Sequence, residues 1–145
     1  HIMIRTDLEI DLLENDLPVE DLPTEWNRRY LDLLEVSPKN DVEGCLQDVH
    51  WSEGMFGYFP SYLIGHLISA QLTNTLEEEL GQIETIIDAK KITILVDWLR
   101  ENVHHYGRGV DSEELVKKVT GERLSPNYFL EYLNNKVEKL SSIFN

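Results

Sequence analysis

Apolar residues recur along most of this chain at intervals of three or four positions, the spacing that places side chains on one face of an α-helix. The segments with this period are 4–15, 23–36, 60–80, 83–87, 92–103, 112–121 and 126–140, and Pro or Gly stands near several of their ends. No alternation of apolar and polar residues longer than a few positions indicates a strand. We therefore predict an all-α fold, a compact multi-helix array of about five to seven helices, with the longest from about Pro60 to Leu80.

One stretch, from Lys39 to Pro60, lacks a helical period and is the predicted long loop. It contains Gly44, Gly54 and Gly57, with aromatic residues scattered among them. The glycines permit tight backbone turns, and a short helical turn is the regular element that we expect here. Because long ordered loops in compact domains are often functional, this stretch is the first place to look for chemistry.

The composition narrows the class of protein. Hydrophobic residues make up 41% of the 145 positions, which is enough for a folded core. No apolar run approaches the roughly 20 residues needed to cross a bilayer, so we expect no membrane partner. The formal net charge of −14 repels phosphate backbones, so we also expect no nucleic-acid partner. Cys45 has no second cysteine to pair with, which fits a cytoplasmic location.

Two adjacent motifs lie in the predicted loop and at the start of the long helix. G-x-x-Q-D-x-H-W occupies 44–51, and G-Y-F-P-x-Y-x-x-G occupies 57–65. With eleven motif positions in a window of 22 residues, the sequence resembles the carboxypeptidase Taq family of metallocarboxypeptidases. The matching residues are Gly44, Gln47, Asp48, His50, Trp51, Gly57, Tyr58, Phe59, Pro60, Tyr62 and Gly65.

The resemblance extends toward both ends of the chain. The segment 98–104, W-L-R-E-N-V-H, is similar to the family's W-L-R-E-N-I-H, and 120–133 resembles its closing helix. The first five residues are similar to an L-H-I-x-L-R stretch of the family. The resemblance thus covers essentially all of 1–145 and implies that this is the C-terminal helical portion of a larger helical metallopeptidase.

The zinc-binding motif of the family is missing from this sequence. Family members bind zinc through an H-E-x-x-H helix and a further glutamate, and the resemblance places both upstream of this chain. Neither His66 nor the pair His104 and His105 has a second histidine four residues away, the spacing with which one helix holds a metal. The resemblance therefore implies zinc in the full-length parent and no metal ligand or cofactor in this chain. A different metal site at His104 and His105 is a weak alternative, since neighbouring side chains on a helix point about 100° apart.

Three donors at the motifs are candidates for catalysis. Hydrolysis of a peptide bond places negative charge on the carbonyl oxygen, and a donor aimed at that oxygen stabilises the charge by about 3 kcal/mol. His50, Tyr58 and Tyr62 are the available donors, since a phenol keeps its proton at neutral pH and an imidazole donates from one nitrogen. The resemblance implies the same role. Which tyrosine carries it stays open, and packing is the alternative role for each of them.

Substrate binding is assigned to four further residues. Gln47, Asp48 and Trp51 surround His50 in an aromatic, glycine-rich loop, where Asp48 is also placed to fix the tautomer of His50. A carboxypeptidase must hold the free carboxylate of its substrate, ideally with a bidentate arginine. The candidates are Arg5, Arg28, Arg29, Arg100 and Arg108. Arg5 matches a family position, and a plain salt bridge is the alternative role for it on its amphipathic helix.

Two functions are compatible with this sequence. The first is part of a zinc metallocarboxypeptidase that removes C-terminal residues from peptides, in which this chain supplies one wall of the substrate groove and is inactive alone. Its partners are peptide substrates and the missing N-terminal portion of the same polypeptide, with a homodimer as a further expectation. The second is a free-standing α-helical interaction module that has lost the catalytic half. Since so few helices cannot cover the apolar faces at 63–80 and 129–140, we also expect exposed apolar surface and self-association.

Overall fold

The computed structural model describes residues 1–144, which form two compact units, unit 1 with residues 1–64 and unit 2 from Gly65 onward. The helices are α1 (Ile2–Glu14), α2 (Leu22–Leu34), α3 (Val49–Ser52), α4 (Tyr58–Leu80), α5 (Ile83–Asp88), α6 (Ile92–Asn102), α7 (Ser112–Thr120) and α8 (Asn127–Phe144). Short 3-10 turns occupy Val19–Asp21, Cys45–Gln47 and His104–Tyr106. No strand occurs in residues 1–144, and the predicted all-α fold is confirmed.

The described residues contain eight α-helices rather than the predicted five to seven, and the additional one is α3. This single turn is the short helical turn expected within the predicted loop, and four residues are too few for an apolar period to show its position. It forms because Asp48 caps it: Oδ1 accepts hydrogen bonds from the backbone N–H groups of His50 at 2.7 Å and of Trp51 at 3.3 Å. The motif therefore contains a capped helical turn directly at His50.

The longest helix, α4, has 23 residues and begins two residues before the predicted start. Pro60 lies in its first turn, where the missing backbone N–H removes no helical hydrogen bond. Gly57 precedes the helix with a φ of +80°, a conformation that favours glycine. At the other end Gly81, with a φ of +87°, terminates the helix as predicted. Neither α4 nor any other helix in the described part of the chain is long and apolar enough to cross a membrane.

The hydrophobic core of unit 1 lies between α1 and α2. Ile4 and Leu8 are one turn apart on the buried face of α1. They cluster with Trp26 and Tyr30 of α2, whose rings stack at a centroid distance of 4.7 Å, and with Cys45. Each fully buried aliphatic side chain of this kind contributes about 1.5–3 kcal/mol to stability. The apolar face that the sequence predicts for the first helix is the face that is buried.

Unit 2 buries one polar side chain completely. Gln71 of α4 has no exposed surface. Its Nε2 donates hydrogen bonds to Oγ1 of Thr120 at 3.0 Å and to the carbonyl of Arg123 at 3.2 Å, while its Oε1 accepts from the N–H of Ser125 at 2.9 Å. Gln71 therefore fixes the segment that joins α7 to α8. The buried apolar side chains of unit 2 are Leu76, Ile86, Trp98 and Val116.

Apolar surface is exposed in unit 2, as the helical stripes predict. Leu130, Val137 and Leu140 of α8 are all exposed. On α4, Leu76 is buried, whereas most other apolar residues of the predicted stripe are only partly covered. Self-association through this surface stays a prediction.

Candidate functional site

The three predicted catalytic side chains lie side by side in unit 1. The centroid of the His50 ring is 4.8 Å from that of Tyr58 and 5.0 Å from that of Phe59. The Tyr58 ring is 4.7 Å from the ring of Tyr62, one turn further along α4, and the two hydroxyl oxygens are 3.2 Å apart. We call His50, Tyr58 and Tyr62 the donor row. The structure thus brings together the three residues that the motifs predict as a group.

The side chains of the donor row reach solvent. Tyr58 and Tyr62 are 39% and 44% exposed, and the side chain of His50 is 27% exposed. The hydrogen bond with the Tyr58 hydroxyl is the main cause that raises the pKa of Tyr62 above its ordinary value. Because a phenol with a raised pKa keeps its proton at neutral pH, Tyr62 remains a hydrogen-bond donor. The row can therefore donate to an oxygen atom placed against it.

Asp48 orients the histidine of the donor row. Its carboxylate is buried, and the Oδ1 that caps α3 also lies 3.4 Å from Nδ1 of His50. That Nδ1 is itself buried and has no hydrogen-bond partner among the described residues. The 3.4 Å contact does not meet the geometry of a hydrogen bond, and Nε2 is a donor in the tautomer that carries the ring proton there. The arrangement leaves Nε2 of His50 as the nitrogen available to a ligand.

Arg5 lies in the interior of unit 1 rather than at its surface. Its guanidinium carbon is 5.1 Å from the ring centroid of Trp26 and 5.0 Å from that of Phe59, so two aromatic rings flank the charge. Nη1 is 3.2 Å from Oδ2 of Asp48, an ion pair whose angles do not meet those of a hydrogen bond. Each buried charge offsets part of the desolvation cost of the other. A substrate carboxylate would have to compete with Asp48 to reach this arginine.

Trp51 packs between the core of unit 1 and the start of α4. Its ring meets Trp26 and Phe59 edge to face, at centroid distances of 6.2 Å and 5.8 Å. Its indole Nε1 donates a hydrogen bond to Oε2 of Glu9 at 2.8 Å. The side chain is half-buried, so part of the ring remains open to a ligand.

Gln47 lies apart from the donor row. Its side chain is exposed, and Nε2 donates a hydrogen bond to the carbonyl of Val42, which stabilises the turn before the motif. Within residues 1–144, no hydrogen bond or ring contact joins Gln47 to the donor row. The structure therefore places Gln47 in the same loop but outside the row.

Glu9 belongs to the site although neither motif contains it. Its carboxylate is buried, and it accepts hydrogen bonds from the indole of Trp51 and from the backbone N–H of Gly57. The sequence signal was a charged residue four positions after Arg5, which places both on one face of α1. Such a pair usually indicates an exposed salt bridge, and the structure instead buries both side chains.

The described residues do not fit a zinc site. No group of three or more His, Cys, Asp or Glu side chains in residues 1–144 is arranged to hold a metal ion. The His66 ring stacks on Phe129 at 5.8 Å, and the His105 ring lies 3.8 Å from that of Tyr106. What this chain's own residues offer is a set of hydrogen-bond donors supported by buried carboxylates.

The described residues thus form an all-α protein in which two adjacent motifs carry an exposed row of donors. The family model for the carboxypeptidase Taq (M32) metallopeptidase matches residues 1–137, so the chain belongs to that family. It is 41% identical over 140 residues to Carboxypeptidase 1 of Bacillus subtilis, and 41% identical over 140 residues to Thermostable carboxypeptidase 1 of Thermus thermophilus. Each alignment covers 97% of this chain and 28% of the relative. The chain therefore spans about 28% of the length of these curated relatives.

Solved structures of the family have the same architecture. The chain is similar to the M32 carboxypeptidase from Deinococcus radiodurans, with a TM-score of 0.87 and 37% identity, over 97% of this chain and 28% of that one. It is similar to Trypanosoma cruzi metallocarboxypeptidase 1, also with a TM-score of 0.87, at 36% identity over 93% of this chain and 28% of that one. At this level of identity the likeness extends from the fold to the family.

Proposed function

We propose that this chain is the C-terminal helical portion of a zinc-dependent metallocarboxypeptidase that hydrolyses C-terminal residues from peptides. Family membership supports the class of enzyme, and 41% identity to Carboxypeptidase 1 of Bacillus subtilis supports the reaction. Because the chain spans 28% of that relative, the proposal assigns the activity to a longer polypeptide. These residues supply one wall of its substrate groove and are inactive alone.

The donor row is the observation that carries this proposal. Hydrolysis of an amide passes through a tetrahedral intermediate whose oxygen carries negative charge, and donors held in place beforehand stabilise that charge. The row offers Nε2 of His50 and two phenol groups that lie within hydrogen-bond distance of each other. A carbonyl oxygen seated against the row meets donors whose positions are set by packing and by the cap of α3. We expect His50 to contribute most, then Tyr58, then Tyr62.

The four residues predicted to bind substrate have different roles in this proposal. Asp48 holds the backbone N–H of His50 through the cap of α3, and Arg5 balances the charge of Asp48 inside unit 1. Trp51 supports Phe59 and presents the open part of its ring to the groove. Gln47 stabilises the turn before the motif and keeps its exposed side for substrate.

The proposal also covers cofactor, partners and location. It places zinc on residues of the longer polypeptide other than these, since residues 1–144 offer no fitting cluster. The rest of that polypeptide is the partner that completes the groove, and peptides are the substrates. A cytoplasmic location is supported by the single free Cys45, and a homodimer by the exposed apolar side chains of α8.

The test uses the full-length polypeptide that contains this chain, supplied with zinc, and two versions of one peptide. One version has a free C-terminal carboxylate, and the other has a C-terminal amide. We expect stepwise release of single residues only from the version with a free carboxylate. Mass spectrometry of the shortened peptides measures this release. Release from neither form, or internal cleavage of the amidated form, would contradict the proposal. The 145-residue chain by itself serves as the inactive control.

A second candidate function is a free-standing α-helical interaction module. The absence of a metal-binding cluster in the described residues and the exposed apolar residues of α8 favour it. The intact mass of the natural protein in its own cells separates the two functions. A mass near 16.9 kDa supports the module, whereas a mass several times larger supports the peptidase.

A further inference from the structure

Glu9 is a buried carboxylate that the proposed chemistry does not use directly. It is 1% exposed, and no Lys, Arg or His of residues 1–144 forms an ion pair with it. A carboxylate in the interior requires hydrogen bonds to both oxygens to offset its lost hydration. Glu9 has them, because Oε2 accepts from the indole of Trp51 at 2.8 Å and Oε1 accepts from the backbone N–H of Gly57.

The two donors to Glu9 lie at the two ends of the segment that connects α3 to α4. Trp51 directly follows His50, and Gly57 directly precedes Tyr58. The residues between them, 52–56, are all exposed, and Gly54 within them adopts a positive φ of +74°. Backbone hydrogen bonds join this segment to α3, such as that from the N–H of Met55 to the carbonyl of His50 at 2.8 Å, whereas Glu9 connects both of its ends to α1.

We infer that Glu9 is a positioning residue that sets the spacing between His50 and Tyr58 in the donor row. The inference rests on the proposed function and deepens it. Glu9 makes no hydrogen bond to His50 or Tyr58 themselves. It bonds the residue next to each of them, Trp51 and Gly57. Because a displacement of about 1 Å in a reacting group can reduce the rate about 100-fold, a clamp of this kind controls turnover rather than substrate affinity.

Glu9→Gln in the full-length, zinc-loaded polypeptide tests this role. Glutamine has nearly the same shape, but its NH₂ group cannot accept, so one of the two N–H donors loses its partner. We expect kcat to fall by about 10–100-fold while KM changes by less than about threefold. Asp7→Asn, an exposed acid on the same helix, is the matched control and should leave both constants unchanged.

A second variant examines the clamp from the other side. Trp51→Phe removes the indole N–H and keeps an aromatic ring, so its effect on kcat should be smaller and in the same direction. If the two residues act together, the double variant loses less than the product of the two single losses. Thermal unfolding shows whether Glu9→Gln folds. If it does not, the kcat of Trp51→Phe tests the positioning role instead.

The outcomes separate the inference from the proposed function. If the unaltered polypeptide releases no C-terminal residue, the proposed function is wrong. If it is active and Glu9→Gln keeps kcat within about threefold, or if only KM rises, Glu9 does not position the row. If the loss of kcat in the double variant equals the product of the two single losses, Glu9 and Trp51 act independently and the inference is wrong.

Discussion

Unit 1 and unit 2 each bury polar side chains, but these side chains have different roles in the two units. In unit 1, Glu9 and Asp48 hold a loop from within, and the side chains presented next to that loop are hydrogen-bond donors open to solvent. In unit 2, Gln71 is fully buried and makes three hydrogen bonds, yet they fix a connection between two helices. The three groups that Gln71 bonds all belong to residues 120–125, at the junction of α7 and α8.

This difference shows that a buried polar group does not mark a functional site by itself. Burial requires hydrogen bonds in both units, because an unpaired polar group in the interior is costly. What distinguishes unit 1 is that exposed donors such as Tyr58 lie next to the residues that these buried groups hold. Substitutions in the two units should therefore affect different measurements.

The largest expected effect is on turnover in unit 1. His50→Ala in the full-length polypeptide should lower kcat by about 100–1,000-fold and change KM little, because an oxyanion donor acts on charge that exists mainly in the transition state. Steady-state kinetics on a peptide with a free C-terminus measure both constants. A kcat within about threefold of the parent would show that the loop is scaffold, and a change confined to KM would assign it to substrate binding.

The two tyrosines of the donor row can be separated by removing only their hydroxyl groups. Tyr58→Phe and Tyr62→Phe keep the ring contacts, so loss of turnover reports donation rather than packing. We expect Tyr58→Phe to lower kcat by about 10–100-fold and Tyr62→Phe by less, since the Tyr58 ring lies against His50. The reverse order would identify Tyr62 as the main donor, and two silent variants would leave His50 alone in the role.

The sequence predicted the helices that show a long apolar period and the candidate site residues that belong to a motif. The apolar period predicted α1, α4 and α8, and the motifs predicted His50, Tyr58 and Tyr62 as candidate donors. The sequence predicted a short helical turn within 39–60 but not its position, since the stability of α3 comes from the Asp48 cap rather than from periodicity. A charged pair four residues apart indicates a solvated helix face, so burial of Glu9 could not be read from spacing.

Replacement of the buried amide in unit 2 should affect stability instead of turnover. Gln71→Leu leaves the N–H of Ser125 and the carbonyl of Arg123 without partners, at a cost of about 1–3 kcal/mol. Urea unfolding of the full-length polypeptide measures this loss in the free energy of unfolding. Gln82→Ala, at an exposed position of unit 2, is the control and should cost less than about 0.5 kcal/mol. A large fall in kcat for folded Gln71→Leu would break the contrast between the units.

The smallest expected effect concerns acid stability in unit 1. Hydrogen bonds from Asn15 and then from Arg29 lower the pKa of Asp11 below its ordinary value of about 3.9. A carboxyl whose pKa is lower in the folded state stabilises the fold above its unfolded pKa, and this contribution is lost as pH falls through the folded pKa. The pair is partly solvated, so the contribution at neutral pH is about 0.5–1 kcal/mol at most.

Asp11→Asn should therefore lower Tm by only a few degrees at pH 7, and the difference from the parent should shrink as the pH falls below about 4. Thermal unfolding of both proteins between about pH 7 and pH 2.5 measures the difference. Asn15→Ala removes the first of the two causes while Arg29 remains, so it should retain part of the pH dependence. Since neither residue touches the donor row, kcat should stay unchanged at neutral pH. A difference in Tm that stays constant or grows on acidification would mean that Asp11 has no lowered pKa in the folded protein.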